Sequence, residues 1–426
     1  MPIGIFTVAS PLQKDRVEFV FSVGERIKKF AANWGGFVKL SPIITTNADA
    51  AKQAEEFAGK IDGAVIVVLS GGTDRMIYYI ASRLGVPTLV FAQQYHNSLA
   101  SVREAIAALR YENKDVMVEY ARLEDLEETI APYIDAHRAL SELKGSRVGL
   151  VGRQEPWLLI KRDPELVKTR FGVEFVEIPW EEMLETARRA EGSEVASVVS
   201  RLKSEFGSIE VSDERLENAV RLYLAMKSLA EKYGLSAMAV EARDMLDESL
   251  REWGPYLGVA LLSDDGIPTD YEVDHDGILT KLILYRLTGE QGFMANLTRI
   301  MGDRVVFSHC TIPTKMIDVK SSTLMTYYET ERSVAIRGAL KEGAIMTFAR
   351  FGGPRLDKVM VGKGRVAKGL IGDPNLCRTQ VELEVQGNPY TLVERSLGNH
   401  TILVYGDHVK KIEYFSRLNG IEVIKV

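Results

Sequence analysis

The run Gly63-Ala64-Val65-Ile66-Val67-Val68-Leu69 has no polar side chain and is rich in β-branched residues. Such a stretch fits a strand covered on both faces, and strands of that kind belong to parallel sheets sandwiched between helices. Its surroundings agree. Ile3–Val8, Phe37–Leu40, Pro87–Phe91 and Val116–Val118 read as further strands, and helical patterns at Val17–Phe30, Asp49–Lys60, Asp74–Leu84 and Leu99–Arg110 separate them. The alternation predicts a doubly wound parallel sheet in the first third of the chain.

A chain of 426 residues exceeds a single ordinary core and implies about two to three domains. Asp135–Leu143 reads as a connecting helix, and a second unit opens with Ser146-Arg147-Val148-Gly149-Leu150-Val151-Gly152. A strand at Val173–Ile178 follows, with helical patterns at Glu181–Ala190, Glu194–Glu205, Asp213–Tyr233 and Ser236–Trp253. Past Gly302 the texture changes to short β-rich pieces punctuated by Gly and Pro: Ala344–Phe348, Lys358–Val361, Arg378–Val385, Thr391–Val393 and Thr401–Tyr405. The expected fold is α/β. Two doubly wound parallel-sheet domains, residues 1–145 (flavodoxin-like) and 146–301, precede a small antiparallel β-barrel domain, residues 302–426.

Charge narrows the partners. The net charge is −6 and the pI about 5.7, which argues against chain-wide attraction to nucleic acid or anionic lipid. The first residues read as a strand rather than a leader, and no apolar run reaches membrane-spanning length. Cys310 and Cys377 form no disulfide framework or zinc knuckle. A cytoplasmic protein is expected, and a surface rich in Glu, Lys and Arg hints at a hot-growing source.

The chemistry concentrates in two segments. Tyr271-Glu272-Val273-Asp274-His275-Asp276-Gly277 packs three acids into five residues, just before a helical pattern. On a strand, Glu272 and Asp274 would share one face at its C-terminal end, the usual mouth of an α/β site. Alternatively, Asp274 or Asp276 caps the helix. The second segment is Gly398-Asn399-His400, with Gly406-Asp407-His408 behind it, and Ser308-His309-Cys310 lies between the two. Each histidine alone would pass as a structural residue. Together, two carboxylates (Glu272, Asp274) and two imidazoles (His309, His400) form an O/N shell suited to Mn²⁺, Co²⁺, Fe²⁺ or Zn²⁺. In the first domain, Gly71 and Gly72 sit in a strand-to-helix turn whose amides could receive an anion or sugar oxygens. Gln94 and His96 lie in a polar cluster suited either to polyol recognition or to a solvated loop.

These residues resemble the L-fucose isomerase / L-arabinose isomerase superfamily, most clearly from Gly258 onward. Tyr271–Thr280 resembles the family's Cys-Glu-Gly-Asp segment and following helix start. Gly292–Leu297 resembles a site-lining strand. Ser308-His309-Cys310 matches a His-Cys of the shorter members, and Gly398-Asn399-His400 resembles the barrel segment carrying the last ligand histidine. The resemblance implies a divalent metal, usually Mn²⁺, holding O1 and O2 of an open-chain sugar while a carboxylate moves a proton through a cis-enediol. It makes Glu272 and Asp274 acid/base or metal carboxylates and His309 and His400 ligands. It makes Gln94, His96 and Asn296 substrate-binding residues beside Gly71 and Gly72 of the turn, and it implies a trimeric or hexameric homo-oligomer with shared sites. The chain departs from the pattern at Tyr271, Val273 and Asn296, where the family commonly has cysteine, glycine and aspartate. Glu241 either substitutes for the missing acid or is an acid on a helix surface. A non-catalytic sugar-binding protein, or a metal-dependent sugar lyase or hydrolase, are the alternative expectations.

Overall fold

The computed structural model describes residues 1–11 and 17–426. The chain divides into two compact units, Met1–Ser141 and Glu142–Val426.

The first unit holds five parallel strands: β1 (Ile3–Val8), β2 (Val38–Leu40), β3 (Gly63–Val68), β4 (Thr88–Gln93) and β5 (Met117–Ala121). Their order is β2-β1-β3-β4-β5. Every residue of β3 is buried, as its composition requires. On one face, Ala50, Ala54, Ile77, Ile80, Val102 and Leu109 of three helices pack against alternate residues of β3 and β4. The first of these helices, Asn47–Phe57, starts where Thr46 Oγ1 accepts a hydrogen bond from Asp49 N at 3.1 Å. Successive connections leave β1 and β3 in opposite directions, which opens a crevice at their C-terminal ends.

The second unit begins with a four-stranded parallel sheet. Its strands are β6 (Arg147–Val151), β7 (Glu174–Ile178), β9 (Ala237–Val240) and β10 (Thr269–Tyr271), in the order β10-β9-β6-β7, while β8 (Ser208–Ile209) lies apart. The remaining strands are β11 (Phe293–Met301), β12 (Arg304–His309), β13 (Thr323–Met325), β14 (Ala335–Arg337), β15 (Ile345–Gly352), β16 (Lys358–Lys368), β17 (Thr379–Val385), β18 (His400–Tyr405) and β19 (Glu422–Lys425). Seven of them form a mixed sheet in the order β15-β18-β11-β12-β17-β16-β19, with β15 also paired to β16. Among the described residues, β19 alone runs parallel to its neighbour in this sheet. The small sheet β14-β13-β8 joins β8 to strands beyond residue 302. One hydrophobic cluster takes in Leu222, Val240, Tyr271, Phe307, Phe348 and Leu383, so the expected boundary at 302 falls inside a shared core.

Three local expectations are corrected. Ser236–Trp253 is not one helix. Gly234, at φ +61°, ends the preceding helix, and Ala237–Val240 becomes β9, paired on both sides by parallel strands. Its alanines favour a helix locally, but complete burial between two strands overrides that preference. Thr391–Val393 is a helical turn, Thr391–Glu394, rather than a strand. Asn388 Oδ1 accepts from Tyr390 N at 3.1 Å and starts the turn. Finally, β10 ends at Tyr271, so Glu272 and Asp274 sit in the turn after the strand and do not share a strand face. Among the described residues, no helix is long and apolar enough to cross a membrane.

Candidate functional site

Glu272 has a left-handed backbone, φ +68°, which turns the chain sharply out of β10. Its amide still bonds Val240 O at 2.8 Å, so the turn is anchored to the end of β9. Two residues later Asp274 opens the helix His275–Thr288, its Oδ1 accepting from Gly277 N at 2.9 Å. Asp274 is therefore the helix cap, as the alternative sequence reading had it. Its carboxylate also receives both terminal nitrogens of Arg350, at 2.8 and 3.0 Å, and meets His400 Nδ1 at 2.9 Å.

β12 and β18 deliver the two histidines. His309 ends β12 and His400 opens β18, and both are fully buried. Their rings meet edge to face, with centroids 5.2 Å apart, and His309 stacks on Tyr271 at 4.3 Å. His400 Nε2 lies 3.3 Å from Glu272 Oε2. Among the described residues, Glu272, His309 and His400 form one group that could hold a metal, each offering a ligand atom within 4.8 Å of the others. A carboxylate oxygen with two imidazole nitrogens suits a first-row divalent ion. Both ring nitrogens of His309 are buried with no hydrogen-bond partner among the described residues. Buried polar atoms are rarely left so, and a cation at this point would satisfy one of them. The donor set fits a metal.

The electrostatics follow from the packing. Burial opposes charge on His400, but the Glu272 and Asp274 carboxylates override it and push the imidazole up to about 10. Burial raises Asp274, yet Arg350 and His400 hold it well below the usual carboxylate range. Among the described residues no carboxylate bonds His309, and burial, reinforced by His400 and Lys281, holds it well below its ordinary value. A neutral imidazole is the ligating form.

Several expected site residues lie elsewhere. Asp274 stands behind His400 and is not one of the three converging donors. Glu241, just past β9, is buried rather than on a helix surface; its Oε2 accepts from Arg153 N at 3.0 Å and faces Arg243 at 3.6 Å. Asn296 pairs across β11 with both Ser308 and His400, and its Oδ1 is buried without a partner among the described residues. His408 Nε2 bonds Tyr405 O at 2.8 Å and plays no part in the group. In the first unit, Gly71 and Gly72 line a cleft of about 450 Å³ with Ser10, Asp74 and Asn97. His96 and Asn97 carry φ near +60°, and Gly71 N bonds His96 O at 2.7 Å. Gln94 is exposed, whereas its neighbour Gln93 is buried and tied to Leu69 O and Tyr95 O.

Four residues escaped the sequence reading. Arg350 sits inside the apolar strand β15 between Ala349 and Phe351, and a cation there needs a buried partner, a signal that could have found it. Arg162 likewise grips Asp276, with Nε 2.8 Å from Oδ1. Glu155 and Trp157 lie in the loop after β6, where no spacing marks them. Glu155 is buried, and burial, with help from Glu272, pushes its carboxyl up to about 8 against the amide of Ala242. A cleft of about 400 Å³ opens beside these residues, lined by Trp157, Leu158, Leu159, Ile160, Asp274, Arg350, Gly398 and Asn399.

No family model matches this chain, and no curated protein sequence matches it either.

Proposed function

We propose that the chain is a metal-dependent aldose–ketose isomerase acting on a small sugar, as its resemblance to the L-fucose isomerase / L-arabinose isomerase superfamily implies. The observation that carries the reading is the buried Glu272–His309–His400 group with the unpartnered nitrogens of His309. A cleft of about 400 Å³, lined by Trp157 and Asp274, which touch Glu272 and His400, is of a size that suits a small polyol. A bound divalent ion, Mn²⁺ in this reading, would supply charge stabilisation for the two oxygens of an open-chain sugar. The chain's own residues divide the remaining work. Asp274, kept ionised by Arg350, accepts the Nδ1 proton of His400 in a hydrogen bond and fixes that ring. We assign the C1–C2 proton transfer to Glu272. Glu241 could serve as a second acid only by leaving Arg153 N and Arg243. Asn296, beside His400 on the sheet, is a candidate to receive a sugar hydroxyl.

In the same reading the β15–β16 pairing closes the large sheet into the family's small β-barrel. The protein works in the cytoplasm of a hot-growing organism as a trimer or hexamer, and Gly71, Gly72, Gln94 and His96 serve the site of a neighbouring subunit.

The test is incubation with Mn²⁺ and a panel of aldoses and ketoses in deuterated water, following the C2 proton by NMR. Isomerisation exchanges that proton and keeps the sugar's formula, whereas a lyase or hydrolase would change it. No exchange with any sugar, while metal is demonstrably bound, sinks the isomerase. That result would favour a sugar-binding protein without turnover, a reading supported by the engagement of both Asp274 and Glu241 with arginines.

A further inference from the structure

The loop after β6 touches the Glu272 turn at two points. Glu155, 1% exposed, extends its carboxylate between two strand ends. Its Oε1 accepts from Ala242 N at 2.8 Å, just past β9, and its Oε2 accepts from Val273 N at 2.8 Å, just past β10. Two residues on, Trp157 Nε1 donates to Glu272 Oε2 at 3.2 Å. The two contacts have different jobs. The Glu155 contact holds the backbone that follows the left-handed Glu272, a conformation a non-glycine residue keeps only when its surroundings enforce it. The Trp157 contact fixes the carboxylate, because an indole N–H can only donate and Glu272 Oε2 is the atom facing His400.

We infer that Glu155 and Trp157 are positioning residues for Glu272, which set the affinity of the Glu272–His309–His400 group for a divalent cation. The inference rests on the metal reading of that group. Neither residue touches the cation. Glu155 fixes where the turn lies, and Trp157 fixes which way the Glu272 oxygen points. Groups that orient a ligand in this way commonly change metal affinity by about 10–100-fold when removed. Trp157 is 40% exposed at the cleft, so its indole also serves as a reporter beside the ligand.

Two variants test this in the full chain. Trp157→Phe keeps an aromatic ring and deletes the N–H. Glu155→Gln keeps the shape and turns an amide N–H₂ toward a backbone N–H. Binding of Mn²⁺ alone is measured by equilibrium dialysis, with thermal melts of the metal-free proteins beside it. The wild type should bind Mn²⁺, and each variant should bind about tenfold or more weakly. Trp157→Phe should keep the wild-type melting temperature, which a merely structural contact would not allow. Zn²⁺ should change the tryptophan emission of the wild type, and Trp157→Phe should lose that change while Trp34, Trp180 and Trp253 remain. If the wild type binds no Mn²⁺, the metal reading fails and this inference goes with it. If the wild type binds and a variant binds equally well, that residue's positioning role is overturned and the metal reading stands. Should Glu155→Gln fail to fold, Trp157→Phe alone decides.

Discussion

His400 Nδ1 lies 2.9 Å from Asp274 Oδ2, while Nε2 of the same ring lies 3.3 Å from Glu272 Oε2. One imidazole thus bridges a carboxylate clamped by arginine and a carboxylate that converges with His309. The Asp274 side sets the tautomer: a proton on Nδ1 leaves the Nε2 lone pair for a cation shared with Glu272 and His309.

The first prediction follows from that division. Glu272→Ala and His309→Ala should abolish Mn²⁺ binding, because each removes one of three donors. Asp274→Asn should instead weaken it by about 10–100-fold, since the ring loses the charged carboxylate that orients it but keeps its donor nitrogen. Equilibrium dialysis separates the two outcomes. Complete loss in Asp274→Asn would make Asp274 a ligand after all.

The metal-free protein should lose stability in alkali. The folded His400 is raised to about 10 from an ordinary 6.5, so its contribution is fully present below 6.5 and is lost as pH rises through 10. Glu155 is raised from 4.5 to about 8, so the folded state binds the extra proton and is penalised as pH rises across that range. Both act in one direction. Melting temperature should therefore fall from mild acid toward pH 10, and a flat or rising profile would contradict the buried pairing.

Metal binding should release protons. A cation can take Nε2 only when His400 gives up the proton that its two carboxylates hold, so near pH 7.5 about one proton should leave per ion bound. Calorimetry in buffers of different ionisation enthalpy counts it. Zero release would mean that the ion does not contact His400.

Gly398 offers a probe that removes no donor. Its φ is +145°, and an added Cβ would run into Arg350 Nη2. Gly398→Ala should displace the guanidinium from Asp274 and destabilise the fold by about 1–3 kcal/mol through strain alone. Denaturant unfolding should show it, together with a weaker affinity for Mn²⁺. Wild-type stability would mean that Arg350 can be moved without cost.

The proposed shared site predicts complementation. His96→Ala should lower activity with metal content intact, and mixing it with an inactive Asp274→Asn protein should restore part of the activity after subunit exchange. A monomer in sedimentation, or no rescue after verified exchange, would place all site residues within one subunit.

How much of this was legible follows from the range of each interaction. The apolar run at Gly63–Leu69 determined a doubly covered parallel strand, because burial of every side chain is written in composition. The positions of Glu272, His309 and His400 at strand ends were readable too, since turn residues and strand patterns flank them locally. Local pattern also misled. Ala237–Val240 reads as helix until strands on both sides claim it, and Glu272 and Asp274 share a strand face only if β10 runs past Tyr271.

Which acid joins the histidines was beyond the sequence. Asp274 and Glu272 are two residues apart and chemically alike, and Arg350, 76 residues downstream of Asp274, claims one of them. Glu155 and Trp157 lie more than a hundred residues before the turn they touch, and His400 lies 126 residues after Asp274. A helical or strand period is a property of neighbouring residues, whereas a donor, its acceptor and a ligand direction are fixed only when distant segments pack. The sequence by itself therefore determined the first parallel sheet and the residue types available at the strand ends. The tertiary structure alone decided which carboxylate is clamped, which one converges with the imidazoles, and what holds it there.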